Sequence, residues 1–162
     1  MAQARPAPRA APDLKSTGIE RSAVFHRIIA GFDGSEDSRR ALRVALELAD
    51  QVDGEVTVIS VVRPLPYLET DDESDEAAAA ELASARLGLD DLRSEAARLG
   101  VTMTEVVVTS TDVAAGLANY SEEHGFDLLV VGRHGREQVA HGGVGRSLEK
   151  LLRQHPCPVL VV

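Results

Sequence analysis

The chain has 162 residues, 44% of them hydrophobic and 27% charged, which suits one folded domain with a real core. No apolar run approaches the roughly 20 residues that span a bilayer, so no membrane partner is expected. A net charge of −9 and an aromatic content of 3% with no Trp exclude nucleic acid as a partner, because phosphate backbones need a basic surface and single strands need stacking platforms.

Residues 1–24 carry three of the seven prolines and no apolar periodicity. They read as a flexible N-terminal tail. Without a continuous apolar segment they do not make a secretory signal, and Asp13 and Glu20 argue against an organellar transit peptide. Residues 25–162 form the domain.

From Phe25 onward apolar runs alternate with helical patterns. HRIIAGF predicts a short buried strand and DGSEDS a turn. Ala41, Leu42, Ala45, Leu48, Ala49 and Val52 then recur at helical spacing, with Gly54 ending the helix. EVTVISVV is a second strand, rich in β-branched residues. The following RPLPYLETDDESDE, with two prolines and its acids Glu69, Asp71, Asp72, Glu73, Asp75 and Glu76, is read as a solvated loop. Ala78, Leu82, Ala85, Leu89, Leu92, Ala96 and Leu99 draw one apolar stripe, predicting a long helix closed by Gly100. TMTEVVV is a third strand, DVAAGLANYSEEHG a helix and FDLLVVG a fourth strand. A last helix is expected near residues 144–153, then a fifth strand at CPVLVV. Short strands apolar on both faces, alternating with helices, predict an α/β fold, a doubly wound parallel sheet of five strands with helices on both faces. Cys157 has no internal partner. Within CPVLVV it reads as a buried, inert thiol, and its solitary presence fits a reducing cytoplasm.

In such sheets ligands bind beyond the carboxyl ends of the strands. Two of those ends differ. After the first strand, Ser35 is a natural N-cap, and Glu36 and Asp37 occupy the positive end of the helix dipole, where they would repel a phosphate. After the fourth strand comes VGRHGREQVAHGGVGRS, residues 131–147, which holds five of the thirteen glycines. The last helix is approached through Gly142, Gly143 and Gly145, with no acid before Glu149. Residues 132–155 contain Arg133, Arg136, Arg146, Lys150 and Arg153 against Glu137 and Glu149, a balance of 5 − 2 = +3. Backbone N–H groups, glycines and cations together predict an anion site for a small phosphate-bearing ligand. The alternative is a merely flexible loop with surface arginines. GGVGRS is not a P-loop, since Ala140 stands for the first Gly and Arg146 for the Lys, and G-x-G-x-x-G is absent.

The spacing Gly132-x2-Gly135-x9-Gly145 resembles the nucleotide-binding signature of the universal stress protein family. HRIIAGFDGSEDSRRAL, EVTVISVV, EEHGFDLLVVGRHG and HPCPVLVV are similar to that family's first, second, fourth and fifth strand regions, in the same order. The resemblance implies a sheet of order 3-2-1-4-5 and a homodimer paired through the C-terminal strand. It implies ATP or AMP as ligand, with or without Mg²⁺, with Asp33 and Gly31 at the adenine end and Val61 lining the pocket. It further places Val131 and Gly132 beside the nucleoside, and Gly135 and Gly145 at the phosphates. The chain departs from the pattern at Arg146, where the family carries Ser or Thr, with Ser147 one step later. It also lacks the Gly-Asp-Pro type of turn before the third helix, at VTSTDVAAGL.

Asp33 also admits a plain turn role, since Asp-Gly is ordinary turn chemistry. His26, His124, His134, His141 and His155 show no metal-ligand spacing, and His134 and His141 read as solvent-exposed. No catalytic constellation is present, so hydrolysis, if any, is expected to be slow. Three readings result. The first is a cytoplasmic, dimeric, ATP-binding stress protein that signals to a protein partner the sequence does not name. The second is a dimerisation module whose phosphate site Arg146 has closed. The third is a weak ATPase or phosphotransferase.

Overall fold

A computed structural model describes residues 25–63, 83, 88–136, 145–154 and 157–162. The predicted tail, the acidic segment, Ala78, Leu82, Ala85, His141 and His155 lie outside the described residues. Among the described residues five strands, β1 (Arg27–Gly31), β2 (Glu55–Val62), β3 (Thr102–Thr109), β4 (Leu128–Val131) and β5 (Val159–Val161), alternate with helices, four of which have defined bounds. These are α1 (Glu36–Val52), α2 (Asp90–Leu99), α3 (Val113–His124) and α4 (Arg146–Gln154). Every strand pair is parallel, and the sheet order is β3-β2-β1-β4-β5, as the resemblance implied.

Strand alternation divides the core in two. Ile28, Ala30, Val56, Val58, Leu128 and Val130 point to one face, covered by the stripes of α1 and α2. Ile29, Ile59, Leu129 and Val131 point to the other, covered by Ala114 and Leu117 of α3 and Leu148 and Leu151 of α4. β1 is buried on both faces, which is why RIIAG reads as an unbroken apolar run rather than an alternating one. Burying each large aliphatic side chain contributes about 1.5–3 kcal/mol. At the amino ends of the strands, Asp127 closes the sheet by accepting the His26 and Arg27 backbone N–H groups at 2.8 and 3.1 Å. No helix among the described residues is long and apolar enough to cross a membrane.

Three sequence expectations need correction. The helix α1 ends at Asp53, which adopts the left-handed conformation at φ 58° and donates its N–H to the Ala49 carbonyl, so Asp53 and not Gly54 is the terminator. Leu46, fully buried, joins the α1 stripe beside the expected Leu48, which packs half-buried against the same core. The apolar stripe ending at Leu99 does not belong to one unbroken helix, because Gly88 and Leu89 form a turn before α2 begins at Asp90. Cys157 is half-buried rather than buried, and burial pushes its thiol up, which keeps it protonated.

Candidate functional site

The carboxyl ends of β1, β2 and β4 open on a cleft of about 570 Å³. It lies where the chain leaves β1 toward β2 on one side while β4 stands on the other, the switch point of a doubly wound sheet. The turn after β1 is fastened to β2. Phe32 donates its N–H to the Ile59 carbonyl at 2.9 Å, and the buried Ser60 hydroxyl donates to the Phe32 carbonyl at 2.9 Å. Ser35 then caps α1, its Oγ accepting the Ser38 N–H at 3.2 Å, with Glu36 and Asp37 in the first turn.

Asp33 joins this turn to the segment after β4. Its Oδ1 accepts the Ser35 N–H at 2.9 Å, and its Oδ2 accepts the Arg136 N–H at 2.8 Å. Burial would raise the carboxyl's pKa, but the hydrogen bonds from Ser35, Arg136 and Ser38 outweigh it and hold the group below the usual carboxylate range. Asp37 makes a second link. Its Oδ2 accepts the His134 N–H at 3.1 Å and lies 3.0 Å from His134 Nδ1, while Oδ1 pairs with Arg40. The His134 contact is the main cause that lowers the Asp37 pKa. His134 is therefore half-buried and tied to α1, not solvent-exposed as expected, because the segment folds back over the start of that helix.

That fold-back explains two of the glycines. A Cβ on Gly132 would lie 2.6 Å from the Asp37 carbonyl carbon, and one on Gly135 would lie 2.8 Å from Asp33 Oδ2. Gly145 is different, since a Cβ there would find nothing nearer than the Arg133 carbonyl oxygen at 3.9 Å. Gly145 supplies the carbonyl for the first bond of α4, to the Glu149 N–H at 2.9 Å, but has no side chain with which to cap the helix. Midway along α4, Lys150 pairs with Asp112, the N-cap of α3, and ties the two helices together.

All nine residues expected at the site line this one cleft: Gly31, Asp33 and Val61 from the β1 and β2 ends, Val131, Gly132 and Gly135 after β4, and Gly145, Arg146 and Ser147 at α4. The floor is apolar, with Ile59, Val113, Leu117, Leu148 and Leu151 beneath these residues, and the arginines Arg63, Arg133, Arg136 and Arg146 complete the lining. Arg63 was not singled out from the sequence, although its place directly after β2 is a carboxyl strand end and could have marked it. Such an arrangement can hold a flat apolar-faced group on the floor and an anion at the cationic rim. Among the described residues no group of three or more His, Cys, Asp or Glu side chains is placed to hold a metal ion.

Comparison with known proteins agrees with this architecture. The model of the universal stress protein family matches residues 25–162. The universal stress protein YxiE of Bacillus subtilis is 26% identical over 152 residues, covering 86% of this chain and 99% of that protein. UspA of Lactobacillus plantarum superposes with a TM-score of 0.78 at 22% identity, over 86% of this chain and 99% of that one. The universal stress protein of Archaeoglobus fulgidus in complex with dAMP superposes at 0.59 with 19% identity, over 85% and 98%. With the family's pattern running from Phe25 to Val162 on a sheet of order 3-2-1-4-5, this chain belongs to the universal stress protein family.

Proposed function

We propose that the protein binds an adenine nucleotide, ATP or AMP, in this cleft, and acts in the cytoplasm as a homodimeric stress-response regulator. The observation that carries the reading is the gathering of all nine signature residues around one cleft of about 570 Å³, a size suited to a small ligand. In this assignment Asp33 and Gly31 stand at the adenine end, and Val61 lines the base. Val131 and Gly132 border the nucleoside, while Gly135, Gly145, Arg146 and Ser147 meet the phosphates. The dAMP complex of the Archaeoglobus fulgidus protein supports an adenine nucleotide as the ligand class. Asp33 and His134 are already hydrogen-bonded within the turn, so the site suits binding and not turnover. A nucleotide joining the segment after β4 to α4 changes the surface offered to a protein partner.

For the dimer, β5 is a sheet edge paired only with β4 among the described strands, and Val161 is 38% exposed, which suits strand pairing with a second copy. Sedimentation velocity tests it, since a single species of monomer mass at all concentrations would remove the dimer.

Isothermal titration with ATP, beside an Arg146→Ser variant, tests the nucleotide. Micromolar binding by the wild type, roughly −8 kcal/mol, is expected. Binding only after Arg146→Ser would favour the dimerisation module with a closed pocket, and move the search for function to protein partners.

A further inference from the structure

The sheet ends in two edge strands that are not alike. β5 is 3 residues long and β3 is 8, and the sheet order puts them at opposite ends. Ser110, just past β3, donates its N–H to the Val62 carbonyl at 3.0 Å. Backbone direction alternates along a strand, so Thr102, Thr104, Val106 and Val108 also face β2. Met103, Glu105, Val107 and Thr109 therefore turn their N–H and C=O groups outward. Among the described residues none of these outward backbone groups has a hydrogen-bond partner. At β5 the Val162 N–H meets the Val131 carbonyl, so only Val159 and Val161 face outward.

Edge strands are commonly guarded by Lys, by Pro or by a bulge. The β3 sequence, TMTEVVVT, has neither Lys nor Pro, and its register with β2 runs unbroken from Thr102 to Thr109. Its one charged residue, Glu105, is engaged by α2, where Arg93 Nη2 donates to Oε2 at 2.8 Å. No residue of the strand is buried, and Val107 is 42% exposed. The other side chains are β-branched apart from Met103, which suits pairing with another strand rich in β-branched residues.

We infer that the outer edge of β3 is a docking site for a protein partner, which adds an extended segment to the sheet as a further strand. In this mode main-chain hydrogen bonds give the affinity and the alternate side chains give the specificity. A second copy of this chain is the poorer occupant. The whole chain carries a net charge of −9, so copies repel one another while a basic segment is drawn in. Copies paired through β5, as proposed above, would also extend into open filaments if they paired again through β3. The partner segment is therefore basic and rich in β-branched residues. No β3 residue lines the cleft, so this site is separate from the nucleotide reading and does not depend on it.

The probe is a short blocked peptide of alternating lysine and valine, beside the same peptide with glutamate in place of lysine. Amide hydrogen exchange of the full chain is followed by NMR with and without each peptide, and fluorescence anisotropy reads the affinities. The variant is Val107→Pro. Because the Val107 N–H points outward, proline there removes a docking donor without breaking the β2 ladder. The lysine peptide is expected to slow exchange at Met103, Glu105, Val107 and Thr109, and to bind Val107→Pro about tenfold more weakly. No slowing at these four amides of the wild type overturns the inference, and that result stands even if Val107→Pro fails to fold. Equal affinity for a folded Val107→Pro overturns it as well. Equal binding of the glutamate peptide overturns the basic partner. Slowing that grows with protein concentration in the absence of peptide assigns the edge to a second copy and overturns the foreign one.

Discussion

The two helix N-termini that face the cleft are built on opposite plans. At α1, the Ser35 hydroxyl caps the helix and Glu36 and Asp37 sit in the first turn, so local charge and hydrogen bonding are satisfied within the protein. At α4, a glycine with no capping side chain precedes the helix and an arginine opens it, and Glu149 is the one acid of the first turn. The first end is a structural anchor. Its acids reach across to the segment after β4, Asp33 to Arg136 and Asp37 to His134, and thereby position the walls of the cleft. The second end opens on the cleft, with Gly145, Arg146 and Ser147 in its lining. A local rule satisfied at one site and broken at its neighbour is the pattern expected where stability gives way to binding.

The glycines give the sharpest way to break this contrast. Gly132→Val drives a side chain into the Asp37 backbone at 2.6 Å, and overpacking against an ordered helix start is expected to destabilise by about 3 kcal/mol. Gly145→Ala meets only the Arg133 carbonyl at 3.9 Å and should change stability by less than about 1 kcal/mol. Urea denaturation of both variants measures this. Equal losses would mean that the segment after β4 is one structural unit, and the division between anchor and binding end would fall.

Asp33 is the next test. Asp33→Ala leaves the Ser35 and Arg136 N–H groups without their acceptor and should lose about 2 kcal/mol, whereas Asp33→Asn, keeping one carbonyl oxygen, should recover part of it. The pH dependence has a definite sign. The folded-state pKa values of Asp33 and Asp37 both lie below the ordinary aspartate value, so the stability they contribute is fully present above about pH 3.9. It is lost as the pH falls through the lowered folded values. Urea midpoints between pH 5 and pH 3 should fall more steeply for the wild type than for Asp33→Asn. Parallel slopes would show that Asp33 does not act as the ionised clamp.

How much of this was legible follows from how local each signal is. Strand burial and strand order came through because RIIAG and LLVV are apolar on both faces and the family's segments appear in sequence order. The Ser35 cap was legible because its partner Ser38 is three residues away. The role of Gly132 was not, since its reason is the Asp37 backbone, 95 positions earlier in the chain, and only the folded sheet brings them together. The same holds for His134, whose partner lies on α1. The signature grouped Gly132, Gly135 and Gly145 under one purpose, although the first two are also required by close packing. Asp53 escaped notice because the adjacent glycine was the more obvious left-handed residue.

The smallest expected effect separates the two ends most cleanly, because its sign differs between them. Ser35→Ala removes a cap and should destabilise the nucleotide-free protein by about 1 kcal/mol. Arg146→Ser removes a cation from a helix N-terminus, and should stabilise that same nucleotide-free protein by about 0.5 kcal/mol. Thermal unfolding without ligand reads both shifts, roughly 2–4 °C per kcal/mol for a chain of this size. With ATP present the order at Arg146 should reverse, because the wild type gains more from the ligand than the variant does. A gain without nucleotide and a deficit with it would identify Arg146 as a residue kept for the anion. If Arg146→Ser were destabilised without nucleotide as well, the arginine would belong to the fold, and the contrast between the two helix ends would reduce to a difference in composition.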